Sequence, residues 1–159
     1  MRRHLRVFLL RVLVLVPVFC ALWIWRGSHF YETSLAHVAR PLYQALGVSD
    51  STLAEAYQII LGRSLEAIVP LLVLTLAIVG LTLRRRAAVL GGGILLLATW
   101  HLATPLIVRQ IIMAHQLDRT AYVMITPLFL LTDALPLVYW ILTARPTSLI
   151  DYKPANPTN

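Results

Sequence analysis

The sequence lacks most of the residues on which soluble enzymes and disulfide-stabilised domains depend. It contains one cysteine, Cys20, among 159 residues, which excludes an internal disulfide and a metal site built on two cysteines. Only 13% of its residues are charged, whereas about a quarter are charged in an average soluble protein. The HExxH, GxSxG and P-loop motifs are also absent. We therefore expect no catalytic residue, no cofactor and no metal ligand.

Apolar residues are present in excess, at 58% of the chain. A small domain buries only about two-thirds of the surface that its unfolded chain exposes. A water-soluble fold of this size would leave much of that apolar surface in contact with water. The composition therefore predicts a protein whose solvent is the lipid bilayer.

The basic residues lie mainly at the ends of apolar stretches. The formal net charge is +7, and all but one of the 14 basic residues are arginines. Because they do not line one face of a polar helix, this placement argues against nucleic-acid binding and follows the positive-inside rule.

Four apolar stretches are each long enough to cross a hydrocarbon core of ~30 Å, which needs about 20 residues. They span residues 7–25, 65–83, 87–108 and 121–143. We predict an all-α membrane protein with a four-transmembrane-helix bundle in a single domain, residues 1–145. A helical outer-face loop, 26–64, would join the first two spans, and 146–159 would form a flexible cytoplasmic tail.

The distribution of positive charge predicts the topology. Eight of the 14 basic residues fall in the N-terminal segment, in the run Arg84–Arg86 and after the fourth span. An even number of crossings separates these segments, so all three share one side. The positive-inside rule makes that side the cytoplasm. We predict a multi-pass protein of a bacterial inner membrane with both termini inside.

The long loop should contain two short helices. Leu35, Val38, Leu42 and Leu46 recur at helical spacing, which predicts an amphipathic helix over 34–46 that ends near Gly47. Thr52 and Glu55 have the spacing of a capping box, so a second helix should start near residue 53. Gly27 would supply a flexible point after the first span.

Asp133 is the strongest candidate for a functional residue, because an ionisable group in hydrocarbon is costly and often functional. We expect its side chain to point into the bundle, either as an interhelical hydrogen bond or as a binding or proton-relay point. His101 is the second candidate for this intramembrane polar site. Counting residues at 1.5 Å each places His101 roughly 6–8 Å nearer the outer face. A packing histidine with a hydrogen bond is the alternative interpretation of His101.

Further polar residues lie near the outer ends of the predicted spans. They could form an outer-face cluster, although simple snorkelling to the interface also explains them. This candidate cluster consists of Glu66, Arg109, His115, Asp118 and Arg119.

Small residues in the third span predict a helix contact. Gly91, Gly92 and Gly93 would let a neighbouring backbone approach closely. They are not a phosphate loop, because no lysine and serine or threonine follow them. Cys20 is interpreted as a small packing residue of the first span.

Two segments resemble a known family. Residues 8–25 are similar to the opening helix of the exosortase H-associated membrane proteins, and residues 119–140 are similar to that family's last helix, with Ala121-Tyr122 before Leu135-Pro136 and Trp140. The family consists of small multi-pass proteins found beside a short exosortase in Gram-negative bacteria. The resemblance implies an accessory role in exosortase-linked protein sorting and implies no catalytic residues.

The sequence therefore predicts a non-enzymatic accessory or assembly partner in an inner membrane. Its expected partners are the lipid bilayer and an exosortase or another membrane protein. Two alternatives stay open. A small carrier or proton-linked transporter subunit would use Asp133 in a polar cavity, and an intramembrane cysteine enzyme would use Cys20 with His101 and Arg109.

Overall fold

The computed structural model describes residues 2–48, 51–64, 67–115 and 118–144, and all regular structure in these ranges is helical. The helices are α1 (Arg2–Leu22), α2 (Ser28–Ala45), α3 (Ser51–Ser64), α4 (Ile68–Ala77), α5 (Leu83–His115) and α6 (Arg119–Ala144), and a π-helical turn, Trp23–Gly27, lies between α1 and α2. The predicted tail, 146–159, lies outside the described residues. The prediction of an all-helical fold is confirmed for the described ranges.

Three helical stretches are long and apolar enough to cross a membrane. They are Leu5–Ala45, Leu83–His115 and Arg119–Ala144. The lengths of α5 and α6 exceed the predicted 87–108 and 121–143, because both helices continue through the polar residues at their ends. Arg84–Arg86 are thus the first turn of α5 instead of a loop, and the Thr82 hydroxyl accepts the N–H of Arg85 at 3.4 Å.

The second predicted span, 65–83, is shorter than expected. The helix α4 has 10 residues, which is about 15 Å of length. It ends where Ile78 adopts an extended conformation, with ψ of 132°, and Gly80 follows at φ +91°. A left-handed glycine is a common way to stop a helix, because other residues are strained there. The described helices therefore do not include four that are each long enough to span a membrane.

The segment predicted as an outer loop is mostly helix. The backbone stays helical from α1 through the π-helical turn into α2, and Gly27 has a helical φ of −64°. A Cβ at Gly27 would lie 2.7 Å from Cε3 of Trp23, so the glycine gives space to that ring instead of acting as a hinge. Gly47 follows α2 at φ +69°, which confirms the predicted stop.

The amphipathic stripe predicted on α2 is wrong in part. Leu35 is buried, but Val38, Leu42 and Leu46 are exposed. The buried face instead consists of Leu35, Ala39 and Tyr43, at an exact four-residue spacing that is also helical. Exposed leucines near a bilayer can contact lipid, so the most apolar stripe need not face the protein.

Helix α5 is the centre of the packing. Its N-terminal half packs on α4 and α6 through Leu71, Leu97 and Trp140. Its C-terminal half packs on α3 and α6 through Ala56, Val108 and Ile125. A third cluster joins α2, α3 and α5 through Tyr43, Leu53 and Leu102. Helix α1 packs on α4, at the edge of this assembly.

Candidate functional site

Asp133 lies on the exposed surface of α6, so the prediction that it points into the bundle is wrong. The rotation of α6 is set by large contacts on its other faces, where Ile125, Thr132, Pro136 and Trp140 are buried. Successive residues of a helix are about 100° apart. The inward position at this level is therefore taken by Thr132, and its neighbour Asp133 turns away from α5.

A hydrogen bond fixes this arrangement. The indole Nε1 of Trp100 donates to the Thr132 hydroxyl at 2.7 Å, and that hydroxyl donates to the Leu128 carbonyl of its own helix at 2.7 Å. An indole N–H inside a bundle needs an acceptor. Sequence reasoning did not single out this pair, although Trp100 was the one tryptophan in the predicted third span.

Asp133 lies near the middle of α6, a helix that is long and apolar enough to cross a membrane. The guanidinium of Arg85 donates to the Thr143 carbonyl at 3.4 Å, so these residues mark one end of the α5–α6 pair. Asp133 precedes Thr143 by ten residues, about 15 Å along the helix. It follows Arg119, at the other end of α6, by about 21 Å. A carboxyl side chain is too short to reach the water at either end.

His101 is buried, with 1% of its surface exposed, and it faces α2. Its Nδ1 shares a hydrogen bond of 2.8 Å with the Tyr31 hydroxyl. The two rings meet edge to face, with centroids 5.7 Å apart, and the Trp23 ring follows at 6.0 Å from Tyr31. These contacts connect α5 to the start of α2 and to the π-helical turn.

His101 and Asp133 do not form one site. The contact between Trp100 and Thr132 sets the register of α5 against α6, so the residues that follow each of them lie at similar levels instead of 6–8 Å apart. Their faces differ, because His101 is buried and Asp133 is exposed. Because α5 and α6 run antiparallel, His101 lies one residue farther from the Arg85–Thr143 end than Trp100, and Asp133 lies one residue closer to it than Thr132. The predicted order is therefore kept, while the separation falls to about 3 Å.

A group of tyrosines from α2 and α3 lies near His101 of α5, and sequence reasoning missed it. The Tyr43 hydroxyl donates to the Leu102 carbonyl at 2.8 Å. Tyr57 is close enough to Tyr31, Tyr43 and Glu32 for electrostatic coupling. Burial, and then the Glu32 carboxylate, raise the pKa of Tyr57 above its ordinary value, so this phenol stays protonated at neutral pH. The four-residue spacing of Tyr31, Leu35, Ala39 and Tyr43 was the available signal.

An open groove of about 360 Å³ runs between α2 and α3. Its polar wall contains Arg40, Gln44 and the rings of Tyr43 and Tyr57. The rest of the lining is apolar and small, mainly alanine. Both helices belong to the segment that the sequence assigned to the outer face.

The predicted outer-face cluster is only partly assembled in the described residues. Asp118 accepts the N–H of Ala121 at 2.8 Å and so caps α6, while Arg119 is exposed. This hydrogen bond, with further contributions from Thr120 and the nearby His115, holds the pKa of Asp118 below its ordinary value. Arg109 is half-buried on α5, and Glu66 lies outside the described residues.

Cys20 lines a gap of about 460 Å³ between α1 and α4. Its neighbours in this lining include Trp23, Val69 and Pro70, whereas His101 lies on α5 against Tyr31. In the described ranges no three histidine, cysteine or acidic side chains meet in a group that could hold a metal ion.

Comparison of the chain with protein-family models, with curated proteins and with solved structures finds no match. The structural features above are therefore the basis for any assignment of function.

Proposed function

We propose that the chain is a non-enzymatic membrane protein that serves as an accessory or assembly partner of another membrane protein. The main observation in support is the exposed carboxyl of Asp133, halfway along a helix that is long and apolar enough to cross a membrane. An aspartate at this depth is unfavourable by about 2.5–3.5 kcal/mol on insertion scales. A protein partner that covers the carboxyl removes part of this penalty.

The surface around Asp133 has the form of a helix-docking face. Thr126, Leu130, Asp133 and Leu137 share one side of α6, at spacings of three and four residues. Leu130 is 66% exposed and Leu137 is 47% exposed. The Thr126 hydroxyl is satisfied by the Tyr122 carbonyl of its own helix at 2.8 Å. We call these four residues the Asp133 face; it offers one polar group within an apolar stripe.

The specific form of the proposal is an accessory role in exosortase-linked sorting at a bacterial inner membrane, with both termini in the cytoplasm. Its support is the resemblance of residues 8–25 and 119–140 to the exosortase H-associated family. The second of these segments contains the whole Asp133 face.

The carrier alternative has less support. A proton or substrate relay at Asp133 requires a polar cavity inside the bundle. The carboxyl lies instead on an outer surface with leucines on either side, an arrangement that favours docking over transport.

Site-specific photo-crosslinking in cells that express the chain from its own locus tests the proposal. A photoreactive residue at Leu130 or Leu137 should give a discrete product with another membrane protein. The matched control is Leu131, which is 46% exposed at the same depth but on the other side of α6. The product should disappear in Asp133→Leu. An exosortase identified in the product supports the specific form; no product at either position overturns docking through this face.

A further inference from the structure

The described part of the chain places no cation beside Asp133. In the described residues, the carboxyl makes no hydrogen bond or ion pair. On α5, Arg86 and Arg109 are separated from Trp100, which marks the Asp133 level, by about 21 and 13 Å along the helix. Arg11 of α1 lies beside Leu76 and Arg86 at the inner end. None of these cations is within two helical turns of the carboxyl.

A second copy of the chain is a poor match for this face. Two parallel copies in contact through α6 would bring one Asp133 next to the other, and like charges in a medium of low dielectric repel strongly. The next candidate, Arg26, lies in the π-helical turn, fifteen residues after Arg11. Arg26 also stands between Trp25 and Gly27, where tryptophans indicate the bilayer interface.

We infer that the Asp133 face binds a transmembrane helix of another protein that carries an arginine or lysine at mid-bilayer depth. This inference rests on the proposed function and gives the chemistry of its partner. Each charge alone is unfavourable in hydrocarbon, while the pair is neutral and hydrogen-bonded. The flanking Leu130 and Leu137 pack against the partner's apolar side chains and exclude lipid headgroups and water from the pair.

This partner chemistry also accounts for the residue type. A hydroxyl or amide on α6 would suffice for an uncharged interhelical hydrogen bond. A carboxylate adds selectivity, because it disfavours every apolar or acidic helix and favours a basic one. Asp133 would then decide which membrane helix binds, while the leucines supply the contact.

Energy transfer in vesicles tests the inference with defined helices. The purified full-length chain is reconstituted in phosphatidylcholine vesicles with a polyleucine helix carrying one central arginine. Two further helices serve for comparison, one with leucine at the centre and one with its arginine near an end. The central arginine should strengthen association about tenfold over both, which corresponds to ~1.4 kcal/mol.

The variants separate charge from fold. Asp133→Asn should lower the affinity for the central-arginine helix about tenfold, and Asp133→Leu should reduce it to that of the all-leucine helix. Thr99→Val, at an exposed threonine of α5 whose hydroxyl bonds the Leu95 carbonyl of its own helix at 2.9 Å, lies outside the Asp133 face and should leave the affinity unchanged. Equal association of the three helices with the chain overturns the inference. So does an Asp133→Leu variant whose affinity for the central-arginine helix equals that of the wild type. Self-association of the chain that depends on Asp133 would overturn it in favour of a second copy.

The outcome is distinguishable from that of the proposed function. Cross-linking at Leu130 and Leu137 without any preference for a basic helix refutes the partner chemistry alone. Absence of cross-linking in cells refutes docking through the Asp133 face, whether or not the model helices associate with the chain in vesicles.

Discussion

Helices α4, α5 and α6 bury many side chains where they meet, whereas the described side chains of α1, at the edge of this assembly, are exposed or only half-buried. Leu71 and Leu97 are 0% and 1% exposed in the three-helix region. On α1, Leu13 and Val14 are 71% and 61% exposed, and a gap of about 460 Å³ separates α1 from α4. Lipid tails are as apolar as leucine, so exposure on α1 carries no hydrophobic penalty. Packing, and not burial from water, therefore distinguishes the two regions.

The size of the side chains explains the difference. At Gly92 an added Cβ would collide with the Tyr139 hydroxyl, and at Gly93 it would lie 2.5 Å from Leu71. The predicted contact with neighbouring helices is present at both glycines, and the neighbouring atoms are those of side chains instead of a closely approaching backbone. Gly91 has open space around it. Helix α1 has large side chains along most of its length, and none of those described is buried.

The largest expected effect comes from filling the glycine contact. Gly93→Leu should destabilise the protein by about 1–3 kcal/mol or more, because the new side chain separates α5 from α4 and α6. Gly91→Leu is the control, since its side chain would enter open space. Thermal unfolding in detergent measures both. Equal melting temperatures would mean that α4 to α6 are no more tightly packed than α1.

The next effect concerns the attachment of α2. Tyr31→Phe removes the 2.8 Å hydrogen bond to His101 and should destabilise this connection by about 1 kcal/mol. Amide exchange should become faster in α2 and the π-helical turn while α4 to α6 keep their protection. Tyr122→Phe, at a tyrosine that is 58% exposed, is the control. Uniform loss of protection in all helices would contradict a separate, weaker region.

The smallest effect is at the α5–α6 turn. The pKa of Asp118 is lowered in the folded state, so its capping contribution is present above the unfolded-state pKa and is lost as the pH falls through the folded one. Exchange of the Ala121 amide should accelerate over that acidic range in the wild type. Asp118→Asn retains a cap acceptor but does not titrate, so it should not show this acid-dependent acceleration. An identical pH profile in both proteins would contradict capping by the carboxylate.

The sequence predicted α5 and α6 well, because apolar runs that end in charged residues report directly on membrane-length helices. It predicted the glycine contact for the same local reason. It did not predict that α1 continues into α2, or that α4 stops at Ala77. The first outcome is accompanied by a contact between distant residues, the hydrogen bond of Tyr31 with His101, which apolar periodicity does not encode.

The sequence identified Asp133 as a candidate site residue, but it did not predict the direction in which its side chain points. Asp133 stands out in any apolar segment, yet its direction depends on Thr132 and Trp100, which take the inward position. The tyrosines around His101 were missed because their partners, such as the Leu102 carbonyl of Tyr43, belong to another helix.

The arginines that indicate membrane orientation also hold helix ends together. Arg86 donates to the Ile78 carbonyl at 2.8 Å, just beyond the end of α4, and Arg85 reaches the Thr143 carbonyl near the end of α6. Cations at these positions satisfy carbonyls that have no partner within their helix. Replacing Arg85 and Arg86 would therefore remove a donor from a carbonyl beyond α4 and from one near the end of α6. The residues from which the topology is predicted thus also connect the ends of three helices.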